Sequence, residues 1–431
     1  MALFDLSDRD LFDLLCVLLV LLAGSYAIYL VARRLGRSRE GLLIAAPLFV
    51  AFGLRLGAAT ALDQLSIAQS LRGGDEQTFL ARAKDVAALP LAGPESLDKL
   101  VSELHTFIFS IHYRIFDLTP PALMLRIEMV VLAVLGIALL SAAVYELAGR
   151  RAALIAAWLL ALEPANVFFS GLIHKESLMY LAEGLVAFGG ATLWKRGELR
   201  SLVPMAAGCL IAIATRPYVG WFLAGAAAAV VLHASLTRQR GLRSFALTTS
   251  MVLLICAFIP VVWAQSSDKN LKELQQAQEA NAADNSANLS LERVDYSTRS
   301  KLIVNLPKRM SDVIFRPFVW QTQNASQQLG ALGTLVVLAA LALLAVAIAR
   351  NRQTIMQQAA PLVHPALFML IAYSISAGNA GTAYRYRTHL VGMALCLIVV
   401  LVAHRREELQ AATRRFRRHR LGPVNRTRTA T

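Results

Sequence analysis

The chain has 431 residues, of which 56% are hydrophobic and only 16% charged, and it carries a formal net charge of +15. That composition excludes an ordinary soluble domain. Repeated apolar runs of about 20 residues, with no aromatic stacking pattern beside the basic residues, exclude a nucleic-acid binder as well.

Candidate membrane crossings fall, in chain order, at about 11–32, 41–63, 122–147, 151–169, 177–194, 201–215, 217–236, 244–264, 328–349, 361–378 and 388–403. The expectation is an all-α polytopic transmembrane protein with about 11 crossings. The opening MALFDLSDRD is acidic and has no basic n-region, and the apolar run after it is longer than a signal-peptide core. It reads as a retained first membrane helix. The run Ser201–Leu236 is too long for one crossing, and Arg216–Pro217–Tyr218 stands in its middle. An arginine at mid-bilayer is costly, and proline starts helices well, so a hairpin turning at Arg216 is expected.

Charge bias orients these helices. The first is followed by Arg33, Arg34, Arg37 and Arg39, the third by Arg150 and Arg151, and the fifth by Lys195, Arg196 and Arg200. The seventh is followed by Arg238, Arg240 and Arg243, and the ninth by Arg350 and Arg352. After the eleventh comes a tail, 404–431, with nine arginines and two glutamates. Every odd-numbered exit is basic, which places the N-terminus outside, the C-terminus in the cytoplasm and the tail against anionic lipid. Residues 1–403 then form a transmembrane catalytic domain with external loops 64–121 and 265–327. In the first loop Leu97, Leu100, Val101, Leu104, Ile108 and Ile111 recur at helical steps, so Glu95–Phe116 is expected as an amphipathic interfacial helix. In the second, a polar stretch reads as a mobile loop or short exposed helix, and Leu306–Trp320 is expected to lie against the membrane.

Candidate chemistry lies on the external side. Asp75 and Glu76 follow Gly73–Gly74, and Asp75 near a membrane-edge site would serve as a general base. Helix capping is the competing role for this pair. Between the fourth and fifth helices, His174, Lys175 and Glu176 follow Glu163–Pro164. Lys175 would pair with a phosphate while Glu176 orients it or binds a cation; the alternative is that the charges simply stop a helix. Arg216, Arg316, His389 and the Arg385–Tyr386–Arg387 motif share that side. Two arginines on the face that charge bias depletes are expected to bind an anion as a fork. Cys16, Cys209, Cys256 and Cys396 have no metal-ligand or CxxC spacing.

The first-loop aspartate in GGDEQTFLARA, the stretch Leu125–Gly171 and the hairpin with Arg216–Pro217–Tyr218 at its turn together resemble the GT-C membrane glycosyltransferases that use polyprenyl-phosphate sugar donors. Within that class the likeness is to the protein-mannosyltransferase and aminoarabinose-transferase group. The pieces 313–320 and 378–387 resemble segments of membrane proteins from bacterial exopolysaccharide clusters. The resemblance implies a GT-C-like fold in a bacterial inner membrane and inverting transfer of a sugar to an acceptor hydroxyl on a glycan or lipid, with polysaccharide-assembly proteins as partners. It places Asp75, with Glu76, at the reacting centre, and assigns Lys175, Arg216, Arg385, Arg387, His174 and Arg316 to the donor phosphate. Where a divalent cation such as Mg or Mn is used, Glu76 and Glu176 would hold it. The chain departs from the pattern in having Phe79 where a tyrosine is common and in lacking a large soluble C-terminal domain. A polysaccharide polymerase or O-antigen-ligase-like enzyme, a lipid or polysaccharide transporter, and a non-catalytic assembly protein are the competing readings.

Overall fold

The computed structural model describes residues 8–35, 41–64, 75–116, 120–237, 268–283, 294–316, 318–321 and 325–420. An α-helix satisfies its backbone hydrogen bonds within itself, as hydrocarbon surroundings demand, and helices account for nearly all of the described chain. Helices α1 (Asp8–Leu35) and α2 (Gly41–Gln64) are followed by three short ones, α3 (Asp75–Ala88), α4 (Pro94–Ser102) and α5 (Leu104–Phe116). Next come α6 (Ala122–Leu162), α7 (Pro164–Ser170), α8 (Glu176–Arg196), α9 (Leu202–Thr215) and α10 (Pro217–Thr237). The remainder holds α11 (Asp268–Ala283), α12 (Arg299–Phe315), α13 (Ala325–Asn351), α14 (Ile355–Ser376) and α15 (Ala380–Arg420).

Among the described residues, seven helices are long and apolar enough to cross a membrane. They are Arg9–Arg33 of α1, Ala45–Gln64 of α2, the whole of α6, α10 and α14, Gly333–Asn351 of α13, and Gly381–Arg414 of α15. The chain is a multi-pass, all-α membrane protein, with seven such helices where about 11 crossings are expected from sequence. The expected third and fourth crossings share α6, which bends at Gly149, whose positive φ of 79° a glycine adopts without strain. The fourth then stops at Glu163–Pro164, since proline cannot continue a helix from the preceding turn. The fifth, α8, carries Glu176, Glu183, Lys195 and Arg196, and the sixth, α9, has only 14 residues. The eighth, 244–264, lies outside the described residues.

The helices in the segments expected as external loops also differ from expectation. Glu95–Phe116 is two helices, because the backbone leaves helical geometry at Glu103 (φ −140°, ψ 53°). The polar stretch after 265 contains α11, a short helix. Helix α12 packs on α14 and α15 and leaves Ile303, Val304 and Trp320 exposed beside it.

Helix α8 lies in the middle, against α6, α9, α10 and α14. Small residues set the approach. A Cβ on Gly136 of α6 would stand 2.6 Å from the Tyr180 carbonyl oxygen, and one on Gly184 of α8 would stand 2.7 Å from that of Gly136. Helices in lipid associate through this kind of close backbone packing, because hydrophobic burial gives little drive there. The bundle is polar end to end. Helix α8 has 21 residues, a length of about 30 Å, close to the thickness of the hydrocarbon core. At its C-terminal end Arg196 pairs with Glu146, the Trp194 indole donates to the Gln357 carbonyl at 3.1 Å, and Gln358 reaches Glu408. The opposite end, at Glu176, carries the candidate site.

Candidate functional site

Helix α3 begins at Asp75, so both predicted carboxylates occupy its first turn, where the helix dipole favours negative charge. Consecutive helical residues point about 100° apart, and the pair divides accordingly. The Asp75 side chain is 44% exposed and accepts from Arg385 Nη1 at 2.6 Å. Glu76 is buried. Its Oε1 accepts from the Ile173 backbone N–H at 2.9 Å and its Oε2 from Arg126 Nη2 at 2.8 Å. Arg126 also donates to the Gly171 carbonyl and lies 3.7 Å from Asp63. Glu76 therefore ties α3 to α6 and to the turn after α7.

That turn carries the triplet His174–Lys175–Glu176, and its position is set upstream. The Glu163 carboxylate caps α7 by accepting from the N–H groups of Ala165 and Asn166. The Asn166 side chain in turn accepts from the buried Arg55 guanidinium, which also donates to the carbonyls of Ala51, Leu160 and Ala161. Downstream, Glu176 Oε1 accepts from Arg216 Nη2 at 2.6 Å. Arg216 sits at the break between α9 and α10 that Pro217 creates. Its guanidinium lies over the Tyr386 ring, 4.8 Å from the centroid, and the Tyr386 hydroxyl is 2.8 Å from that of Tyr218. His174 Nδ1 is 3.5 Å from Arg385 Nη1 and 3.8 Å from Glu176 Oε2. Asp75, Arg385 and His174 thus form one run of polar contacts, and the Glu176–Arg216 pair forms another that comes within 3.8 Å of it at His174. The Lys175 ammonium lies beside it, 5.5 Å from the centroid of the Phe79 ring.

The electrostatics favour a bound anion. Burial, and then neighbouring Arg216, bring Lys175 down to about 8. Burial and Arg385 push His174 below its usual value, so its imidazole is neutral. Nδ1 then accepts from Arg385, which assigns the proton to Nε2. Burial alone would raise Glu176, but Arg216 and Arg385 reverse this and hold it below the carboxylate range. Burial would likewise lower Arg216, and Glu176 raises it well above its ordinary value. His105, edge-on to Phe79, is lowered to about 2 by burial and by Lys175. Arg216 Nη1, His174 Nε2 and Ser177 Oγ are buried with no hydrogen-bond partner among the described residues, and so is one acceptor, Glu176 Oε2. Orphaned buried donors are rare in native folds and call for a ligand or water.

Two sequence-predicted residues lie elsewhere. Arg385 and Arg387 are both on α15, and residues two apart on a helix point about 200° apart, so they do not form a fork. Arg387 Nη1 donates to the carbonyls of Ile314 and Arg316 and to Thr334, and Arg387 lines an apolar cavity of about 310 Å³ between α13, α14 and α15. The Arg316 side chain pairs with Asp312 at 3.0 Å. The donor set does not fit Mg or Mn: both Glu76 oxygens are taken, Glu176 is paired to Arg216, and the described residues contain no group of three or more ligating side chains. His105 joins the site without having been named from sequence, and Phe79, Arg126 and Tyr386 join it without having been given a role there. A charge opening a long apolar run is the signal that could have found Arg126.

Chemically, this end of the bundle holds three cations, Lys175, Arg216 and Arg385, and a neutral imidazole with an unpartnered N–H, together with the ionised Glu176 and the half-exposed Asp75. Comparison of the chain with protein-family models, with curated proteins and with solved structures gives no match.

Proposed function

We propose that this end of the bundle binds the phosphate of a lipid-linked sugar at the external face of the membrane and transfers the sugar to an acceptor hydroxyl, with inversion. The single observation behind this reading is that the Asp75–Arg385 pair and the Glu176–Arg216 pair come together at His174, next to Lys175. Four segments far apart in sequence thereby meet at one end of the bundle. A polyprenyl-phosphate sugar enters from the bilayer with its phosphate against Arg216, Lys175 and Arg385. Guanidinium and ammonium donors suit the oxygens of a phosphate and the charge that grows on them as it leaves.

The acceptor approaches from the aqueous side, where Asp75 is half-exposed. Arg385 fixes the orientation of the Asp75 carboxylate. Asp75 takes the hydroxyl proton as that oxygen attacks the anomeric carbon. The bond from the anomeric carbon to the phosphate oxygen breaks, and lipid phosphate departs with the electron pair. One displacement inverts the anomeric centre. The assignment of this end to the outside of a bacterial inner membrane, with the C-terminal tail in the cytoplasm, belongs to the same proposal and follows from the basic exits.

The experiment is transfer from a panel of polyprenyl-phosphate sugars to glycan and lipid acceptors in proteoliposomes. Wild-type protein is expected to transfer one of them. Asp75→Asn is expected to abolish transfer while inserting and unfolding like wild type. Wild-type turnover by Asp75→Asn rejects Asp75 as the base.

A further inference from the structure

Seven residues along α8 from Glu176, about 10 Å deeper, stands Glu183, fully buried. Its Oε1 is 2.9 Å from Nδ1 of the equally buried His389 on α15, and it accepts from the Tyr373 hydroxyl of α14 at 3.4 Å. An ionisable pair inside a membrane bundle is expensive to keep and marks function by default. The site chemistry above does not use it. Glu183 Oε2 and both His389 ring nitrogens are buried with no hydrogen-bond partner among the described residues, so the pair is a close charge contact and is not closed on itself by a hydrogen bond.

The pair is connected to the external site by stacked rings. The Tyr373 ring lies 5.7 Å from that of His389 on one side and 4.5 Å from that of Tyr386 on the other, and Tyr386 carries the Arg216 guanidinium. Among the titratable groups around the pair, Tyr180 of α8 stacks against His389 at 5.2 Å, and Tyr373 and Tyr386 come from α14 and α15. Glu163, Arg55 and Cys396 act on Tyr180, and Arg216 acts on Tyr373.

We propose that Glu183 and His389 form a proton-binding site inside the bundle, coupled through Tyr373 and Tyr386 to the Arg216 anion site. This rests on the anion-binding reading of Arg216. With one proton bound to the pair, it is neutral. Loss of that proton places a net negative charge beneath Arg216, and in a medium of low dielectric it opposes anion binding over this distance. Protonation therefore strengthens anion binding, and by linkage a bound anion strengthens proton binding.

The test uses a citronellyl methyl phosphodiester, whose single charge is constant across the pH titration, with the full chain in nanodiscs. The background is Lys175→Arg, which removes the titration of Lys175. Affinity is expected to fall about fivefold or more as pH rises, and that fall is expected to vanish in both Glu183→Gln and His389→Gln. Addition of the diester is expected to move the nitrogen-15 shifts of His389 toward the protonated ring. A fall retained in both variants, or His389 shifts indifferent to the diester in protein that binds it, overturns the proposal and leaves the anion site standing. No binding at any pH overturns the anion-site reading and this inference with it. If either single variant misfolds, the His389 shifts in the folded parent decide.

Discussion

Lys175 is the one cation of the site whose charge changes near neutrality. With its value at about 8, set by burial and then by Arg216, it is an ammonium below that pH and a neutral amine above it. Affinity for a phosphate ligand should therefore fall as pH rises from about 7 to 9, and Lys175→Arg should remove this part of the fall; titrations of wild type and variant in parallel check it. Glu176 has the opposite sign. Although burial opposes its charge, Arg216 and Arg385 hold it below the carboxylate range, so its contribution to stability is fully present above the ordinary carboxylate value. That contribution is lost only as pH falls through the depressed one. Arg216→Gln leaves this carboxylate buried without its partner and should cost about 3–5 kcal/mol. Arg216→Gln with Glu176→Gln should recover most of that in a double-mutant cycle by denaturant unfolding.

Short polar interruptions decide where the helices end. The Glu163 carboxylate satisfies two N–H groups at the start of α7, and Glu163→Ala should destabilise by about 1–2 kcal/mol in thermal unfolding. The α6–α8 crossing should be more sensitive. A side chain at Gly136 meets the backbone of Tyr180 and Leu181, so Gly136→Val should separate the helices and lower the yield of folded protein. Much of the architecture was legible as apolar runs, and the hairpin turning at Arg216 and Pro217 was legible from one charge and one proline. The misreadings have local causes. The last crossing was expected from 388, with the Arg385–Tyr386–Arg387 motif before it, but α15 already begins at Ala380, and that helix sends Arg387 away from Arg385. The helical periodicity of 95–116 runs straight through Glu103, where the backbone departs from helix. Partners of Glu76 could not be read at all, because Arg126 and Ile173 are brought to it only by the packing of α3 against the α6–α8 region.

At the scale of the whole molecule, the bundle has a basic end and a site end separated by the length of α8. Arg196 and the start of the C-terminal tail lie at the first, and Asp75, Glu176 and Arg216 at the second. The proposed orientation puts the basic end in the cytoplasm. A cysteine introduced at Arg352 should be silent to an impermeant maleimide applied to intact spheroplasts, and one at Asp295 should react. The reverse pattern would place the site inside the cell. The account as a whole depends on the Arg216 end binding a lipid phosphate, and equilibrium binding of citronellyl phosphate in nanodiscs measures this most directly. Wild-type protein should bind it saturably, and the Arg216→Gln, Glu176→Gln double variant, which buries no unpaired charge, should bind it about tenfold or more weakly. Equal affinity in the two proteins, or no saturable binding by wild type, would contradict it.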